Sequence, residues 1–127
     1  TLLEMGVIPI VNANDTISTF EIEFSDNDRL SAEVAALVKS DLLVILTDID
    51  CLYDSDPRSN QDAQRVPLVT ESKGSTFSVG GMATKISAGK ICEGSDVDMV
   101  VANGEDPKIL HEIIDGDDIG TYFALKK

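Results

Sequence analysis

The chain has 127 residues, 43% hydrophobic and 26% charged, which suits one domain with its own core. Its 23 acidic and 10 basic residues leave a net charge of −13, which argues against a nucleic-acid partner, since phosphate backbones demand a basic surface. No apolar run approaches the ~20 residues of a membrane helix and no signal-peptide pattern is present, so no membrane partner is expected. A phosphorylated small molecule stays open, because a few local lysines and a bound metal outweigh a distant acidic surface. Cys51 and Cys92 lie far apart, with no His or Cys near either at metal-site spacing. Both read as structural, in a reducing, cytoplasmic setting, and no metal site is expected from them.

Residues 1–6 read as the tail of a helix with Gly6 as its stop signal, and the chain opens in mid-element without an initiator Met, which suggests a fragment. Residues 7–11, VIPIV, read as a buried strand, followed by the polar run Asn12, Ala13, Asn14, Asp15 and Thr16. Such residues after a strand are either turn formers or ligand contacts. In residues 19–24 Phe20, Ile22 and Phe24 alternate with Thr19, Glu21 and Glu23, the period of a half-exposed hairpin arm. Residues 28–39 read as an amphipathic helix with Leu30, Val34, Leu37 and Val38 on one face. Ser25, Asp26, Asn27 and Asp28 crowd its N-terminus, where unpaired N–H groups and the helix dipole favour anions. Capping needs one such residue, so the surplus points to function.

Residues 42–57, LLVILTDIDCLYDSDP, organise the rest. Leu42 to Leu46 form an apolar run typical of a strand buried on both faces. At Thr47 the chemistry changes to hydroxyl and carboxylate groups at Thr47, Asp48, Asp50, Asp54 and Asp56. Ligands of open α/β sheets bind beyond the carboxyl ends of such strands, although Asp and Pro are also ordinary turn formers there. Residues 58–73 are polar and weakly periodic, with an apolar patch at 66–69. A Gly/Ser-rich loop, residues 73–81, leads into a helix over 82–93 with Met82, Ile86 and Ile91 on its apolar side. Thr84 and Lys85 in its first turn suit a phosphate cradle, though the spacing is not that of a P-loop. Residues 97–102 form another buried strand. Asp106 and Pro107 then start a helix with Ile109, Leu110, Ile113 and Ile114 as its buried stripe and Gly116 as its end. His111 falls on the surface of that helix, and residues 120–124 make a last short strand. The alternation predicts an α/β fold, a mostly parallel central sheet sandwiched by helices.

Four segments together resemble the amino-acid kinase family. They are VIPIVNANDT at 7–16, FSDNDRLSA at 24–32, LLVILTDIDCLYDSDPR at 42–58 and GGMATK at 80–85, in the family's order. Within the family they match the branch that phosphorylates glutamate. The resemblance implies transfer of the γ-phosphoryl group of ATP, with Mg²⁺, to the side-chain carboxylate of L-glutamate. It places the substrate on Asp15 and Asn27, with Asn12 nearby. Lys85 would be the catalytic cation, organised by Asp28. Thr47 and Asp48 match the nucleotide-binding pair, and Val79, Gly80, Gly81, Met82, Ala83, Thr84 and Lys85 the loop at the ATP phosphates. A homo-oligomer and feedback inhibition by proline are further expectations of the same kind.

The chain departs from the family in three places. Val79 stands where a Thr is usual, Cys51 where a Gly is usual, and the stretch between Val69 and Gly80 is short. The family's first half, with its phosphate lysine and glycine turn, has no counterpart, so residues 1–127 read as the C-terminal part of one kinase domain that should not turn over alone. Other acceptors within the family, a nucleoside monophosphate or acetylglutamate, remain open. So does a non-catalytic amino-acid-binding module, against which Lys85 and Asp28 argue.

Overall fold

The computed structural model describes residues 2–12, 27–70 and 82–124. Strand β5 (Asp98–Asn103), DMVVAN, is its most deeply buried element, with Met99 to Ala102 all buried between polar ends. Side chains alternate across a strand, so these four residues divide between two faces. Met99 and Val101 join a core cluster with Ala32, Ala35, Ala88 and Cys92, while Val100 and Ala102 join Ile113 in another.

The first of those clusters brings in two helices, α1 (Asn27–Val38) and α2 (Met82–Glu93), and the second brings in α3 (Ile109–Asp115). Strand β1 (Leu42–Thr47) runs parallel to β5, from Leu42 beside Asp98 to Thr47 beside Asn103. On the far side of β5, β6 (Thr121–Phe123) pairs antiparallel with it, and β4 (Leu68–Val69) runs parallel to β6. The order is β1-β5-β6-β4, a mostly parallel sheet with helices on both faces, as the alternation of elements predicts. A second, two-stranded antiparallel sheet joins β2 (Leu52–Tyr53) to β3 (Arg65–Val66).

The helices are turned back into the sheet by one repeated device. In a Schellman closure the residue after the helix adopts the left-handed conformation and two N–H groups return to the last carbonyls. Lys39 (φ 55°) ends α1 this way, with its own N–H on Ala36 O and that of Ser40 on Ala35 O. Asp96 (φ 56°) does the same after α2, and Gly116 (φ 90°) after α3. Gly6 (φ 70°) closes the turn over residues 2–6 with the same pair of bonds, so the expected stop signal is present although that turn is not part of a described helix.

Four expectations are corrected. Residues 7–11 are not a buried strand: Ile8 and Ile10 are 88% and 96% exposed, and no described strand pairs with them. An apolar β sequence without a ladder partner has nothing to bury against. β1 is half-buried rather than central, because it lies at the edge of the sheet with β5 as its one described neighbour. The buried face of α1 is Ala32 and Ala35, while Leu37 is 81% exposed and Leu30 and Val38 are also exposed. In α3, Ile109 and Ile113 face the core but Ile114 is exposed, and the helix starts at Ile109, past Pro107. Asp106 caps the preceding turn instead, its carboxylate accepting from Lys108 N at 3.0 Å. The hairpin arm expected at 19–24 lies outside the described residues.

Thr121, fully buried, ties the two sheets together. Its hydroxyl accepts from Leu52 N at 2.8 Å and donates to Val66 O at 2.6 Å. The preceding Gly120 (φ 73°) allows this, since any Cβ there would collide with the Val101 carbonyl. Thr121→Val keeps the shape but removes both hydrogen bonds of the buried hydroxyl, and should destabilise the fold by about 2 kcal/mol, read from the shift in urea midpoint at constant slope.

Candidate active site

A helix of 12 residues spans about 18 Å and a strand of 6 about 20 Å. The tight Schellman turns join the end of α1 to the start of β1 and the end of α2 to the start of β5. Both helices therefore return to the carboxyl ends of their strands, the edge on which open α/β sheets bind ligands. The N-termini of α1 and α2 meet there.

On α1 the residues Asp28, Ala32 and Ala35 follow at i, i+4 and i+7, one face of a helix. On α2 the matching face is Lys85, Ala88 and Cys92. The small side chains along both faces let the helices approach closely, and the polar residues at their starts come together. Asp28 Oδ2 accepts from Thr84 Oγ1 at 2.8 Å and from Lys85 Nζ at 3.1 Å. The Lys85 and Asp28 side chains are only 13% and 19% exposed, so this ion pair is far less screened than those on the surface. Asn27, the first residue of α1, is exposed, and its carbonyl accepts from Ser31 Oγ at 2.7 Å.

A second group stands at the ends of β1 and β5. Thr47 Oγ1 donates to Asp48 Oδ1 at 3.1 Å, and Asn103 Nδ2 donates to the Asp48 carbonyl at 3.3 Å. Beside it, an open groove of about 330 Å³ is lined by Asn103, Glu105, Asp106, Lys108, Ile109 and Glu112. The other carboxylates of the loop hold its shape. Asp54 accepts from Gln64 N at 2.9 Å and Asp56 from Arg58 N at 2.9 Å, so both are turn formers. Asp50 accepts from Tyr53 Oη at 2.9 Å and faces Arg65 Nε at 3.7 Å, while Arg65 Nε also donates to Cys51 Sγ at 3.1 Å. Cys51 is fully buried and is not among the residues of positive φ, so the backbone there makes no demand for glycine. Burial raises the Cys92 thiol above its ordinary value, consistent with a structural role.

The structure thus brings Asp28, Thr84 and Lys85 into contact and sets Thr47 and Asp48 at the end of β1. Ala83 is exposed in the first turn of α2, Met82 is the first residue of that helix, and Asn12 is exposed. Asp15, Val79, Gly80 and Gly81 lie outside the described residues. Among the described residues no group of three or more His, Cys, Asp or Glu is placed to hold a metal ion. Sequence reasoning missed Asn103 and Arg65. Asn103 had a signal: β5, like β1, runs from apolar residues into a polar one, and a parallel pairing places Asn103 beside Thr47. Arg65 had none, since only the chain reversal between β2 and β3 brings it to Cys51.

The loop carries a titration signature. The hydrogen bond that Tyr53 donates to Asp50, aided by burial, pushes the phenol from 10.0 up to about 12. A raised folded-state value means this contribution to stability is complete below pH 10.0 and is lost as pH rises towards about 12. A phenolate absorbance titration should find Tyr53 ionising late, and Asp50→Ala should return it towards its ordinary value.

The profile of the amino acid kinase family matches residues 1–103. Glutamate 5-kinase of Clostridium perfringens (strain 13 / Type A) is 50% identical over 141 aligned residues, covering 100% of this chain and 52% of that protein. The glutamate 5-kinase of a Picosynechococcus species is 47% identical over 136, covering 98% of this chain and 36% of that protein. The chain thus spans about half or less of the length of these relatives. Among solved structures, T. acidophilum isopentenyl phosphate kinase in a product complex superimposes with a TM-score of 0.61 at 28% identity, over 76% of this chain and 38% of that one. UMP kinase from Bacillus anthracis superimposes with a TM-score of 0.65 at 18% identity, over 79% of this chain and 41% of that one, a likeness of fold. The chain belongs to the amino acid kinase family.

Proposed function

We propose that the protein transfers the γ-phosphoryl group of ATP to the side-chain carboxylate of L-glutamate, forming L-glutamyl 5-phosphate, the first step of proline biosynthesis. The observation that carries this reading is the Lys85 ammonium held on Asp28 at 3.1 Å where two helix N-termini meet. A cation and two positive dipole ends on one spot suit an anion that gains charge in a transition state. The names of the relatives supply the acceptor.

The acceptor carboxylate is already ionised near neutral pH, its ordinary value being about 4.3. Its oxygen attacks the γ-phosphorus, the bond to the β,γ-bridging oxygen breaks, and ADP leaves with the electron pair. No proton has to be removed from the nucleophile, so the reaction needs positioning and charge neutralisation rather than a base. Asp28 therefore serves as the organiser of Lys85. Lys85 meets the moving phosphoryl group, Thr47 and Asp48 bind the nucleotide, and Val79, Gly80, Gly81, Met82 and Ala83, ahead of Lys85 in the chain, are assigned to the ATP phosphates. Mg²⁺ accompanies ATP and neutralises phosphate charge when bound. Asp28, a hard oxygen ligand beside Lys85, is suited to meet its water shell. Asp15, Asn27 and Asn12 are assigned to glutamate, whose ammonium needs a carboxylate and amide oxygens.

In this reading residues 1–127 are the C-terminal part of one kinase domain, whose remaining ATP and glutamate contacts come from outside the chain. It also carries a cytoplasmic homo-oligomer inhibited by proline.

The test is ADP release by the full-length protein with Mg²⁺, comparing glutamate, acetylglutamate, aspartate and UMP as acceptors. Response to glutamate alone is the expected outcome, and response to UMP instead would overturn the acceptor. Lys85→Ala should lower kcat by at least ~100-fold with an unchanged far-UV spectrum. Full activity in that variant would remove Lys85 from the mechanism.

A further inference from the structure

We infer that Thr84 is a positioning residue for phosphoryl transfer, acting through Asp28 and not by contact with the nucleotide. The inference deepens the kinase reading and rests on it. The family resemblance puts Thr84 in the phosphate loop, which would aim its hydroxyl at ATP. The structure aims it elsewhere: Thr84 Oγ1 lies 2.8 Å from Asp28 Oδ2, the same oxygen that Lys85 Nζ approaches at 3.1 Å.

Two physical consequences follow from that shared oxygen. A carboxylate held by one flexible lysine can rotate, because the terminal torsion of Asp is broad and the lysine stem has many rotamers. A second donor on a β-branched side chain, stiff at χ1 and one residue before the lysine on the same helix, holds the carboxylate against rotation. The second consequence is electrostatic. A hydroxyl that donates to an anion takes up part of its hydrogen-bonding capacity. Lys85 is then less completely neutralised by Asp28, and more of its charge is directed at an incoming phosphoryl group. Asp28 and Lys85 are mostly buried, where such local terms are weakly screened.

The decisive experiment uses the full-length protein and separates kcat from KM for ATP. Thr84→Val, which keeps the shape and removes the hydroxyl, should lower kcat roughly tenfold or more while KM for ATP stays within about twofold. Thr84→Ser should restore most of the rate. In an Asp28→Asn background Thr84→Val should cost much less than it does in the wild type, since the two act as one unit. A raised KM for ATP with unchanged kcat would show that the hydroxyl touches the nucleotide and would overturn the inference. So would wild-type kcat in Thr84→Val, or an undiminished loss in the Asp28→Asn background. If Thr84→Val fails to fold, Thr84→Ala carries the same comparison. A wild-type protein that phosphorylates none of the four acceptors would defeat the kinase reading instead. The side-chain NMR signal of Lys85 then decides the coupling by itself. It should move in the Thr84 variant, and an unmoved signal overturns the inference.

Discussion

β5 is buried on both faces, and that single constraint places nearly every other described element. Met99 and Val101 can be covered only by something on one side, Val100 and Ala102 only by something on the other. The helices α1 and α2 answer the first demand and α3 the second. Because α1 and α2 are each turned directly into a following parallel strand, their N-termini arrive together at the carboxyl edge of the sheet. The candidate site is therefore a by-product of how β5 is buried. The alanines that let α1 and α2 lie close are as much part of that site as the side chains at its mouth.

The charge of the whole and the charge of the site point in opposite directions. With a net charge of −13, residues 1–127 as a body repel an anion such as ATP. Screening confines that repulsion to about 8 Å at physiological ionic strength, whereas the mostly buried Lys85 ammonium is a local positive charge in a shielded position. The carboxylates near β1 also divide by task. Asp54 and Asp56 hold turns, Asp50 holds Tyr53 and Arg65, and Asp48 stands at the strand end with Thr47 and Asn103, its other oxygen 3.8 Å from the exposed Arg58 guanidinium. Acidic residues in such a loop are not one binding feature, and their hydrogen bonds sort them.

Where reading the chain alone misplaced a strand, the reason is the same each time. A run such as VIPIV or LLVIL states that a strand is favoured, but says nothing about how many neighbours it will have. Residues 7–11 found none among the described strands and β1 found one, so apolar side chains expected inside are exposed. In α1 the Leu and Val residues formed the larger apolar stripe, yet the face bearing Ala32 and Ala35 is buried. Close approach to α2 and the contact of Asp28 with Thr84 and Lys85 favour small residues there.

By itself the sequence determined the α/β alternation, the strands at β1, β5 and β6, the span of α2 and the stop of α3 at Gly116, and the residue types that chemistry would use. Those are local matters, set by period, turn chemistry and side-chain identity within a few positions. Its ordered motifs also marked Asp28, Lys85, Thr47 and Asp48 as candidates. Only the tertiary structure decided that Thr84 spends its hydroxyl on Asp28, that Asn103 joins Asp48, that Arg65 reaches Cys51, and that Thr121 bridges two sheets. Each of these joins residues distant in the chain, from 14 for Cys51 and Arg65 to 69 for Leu52 and Thr121. Pairings of that kind depend on which faces are buried together, and no spacing along the chain encodes them.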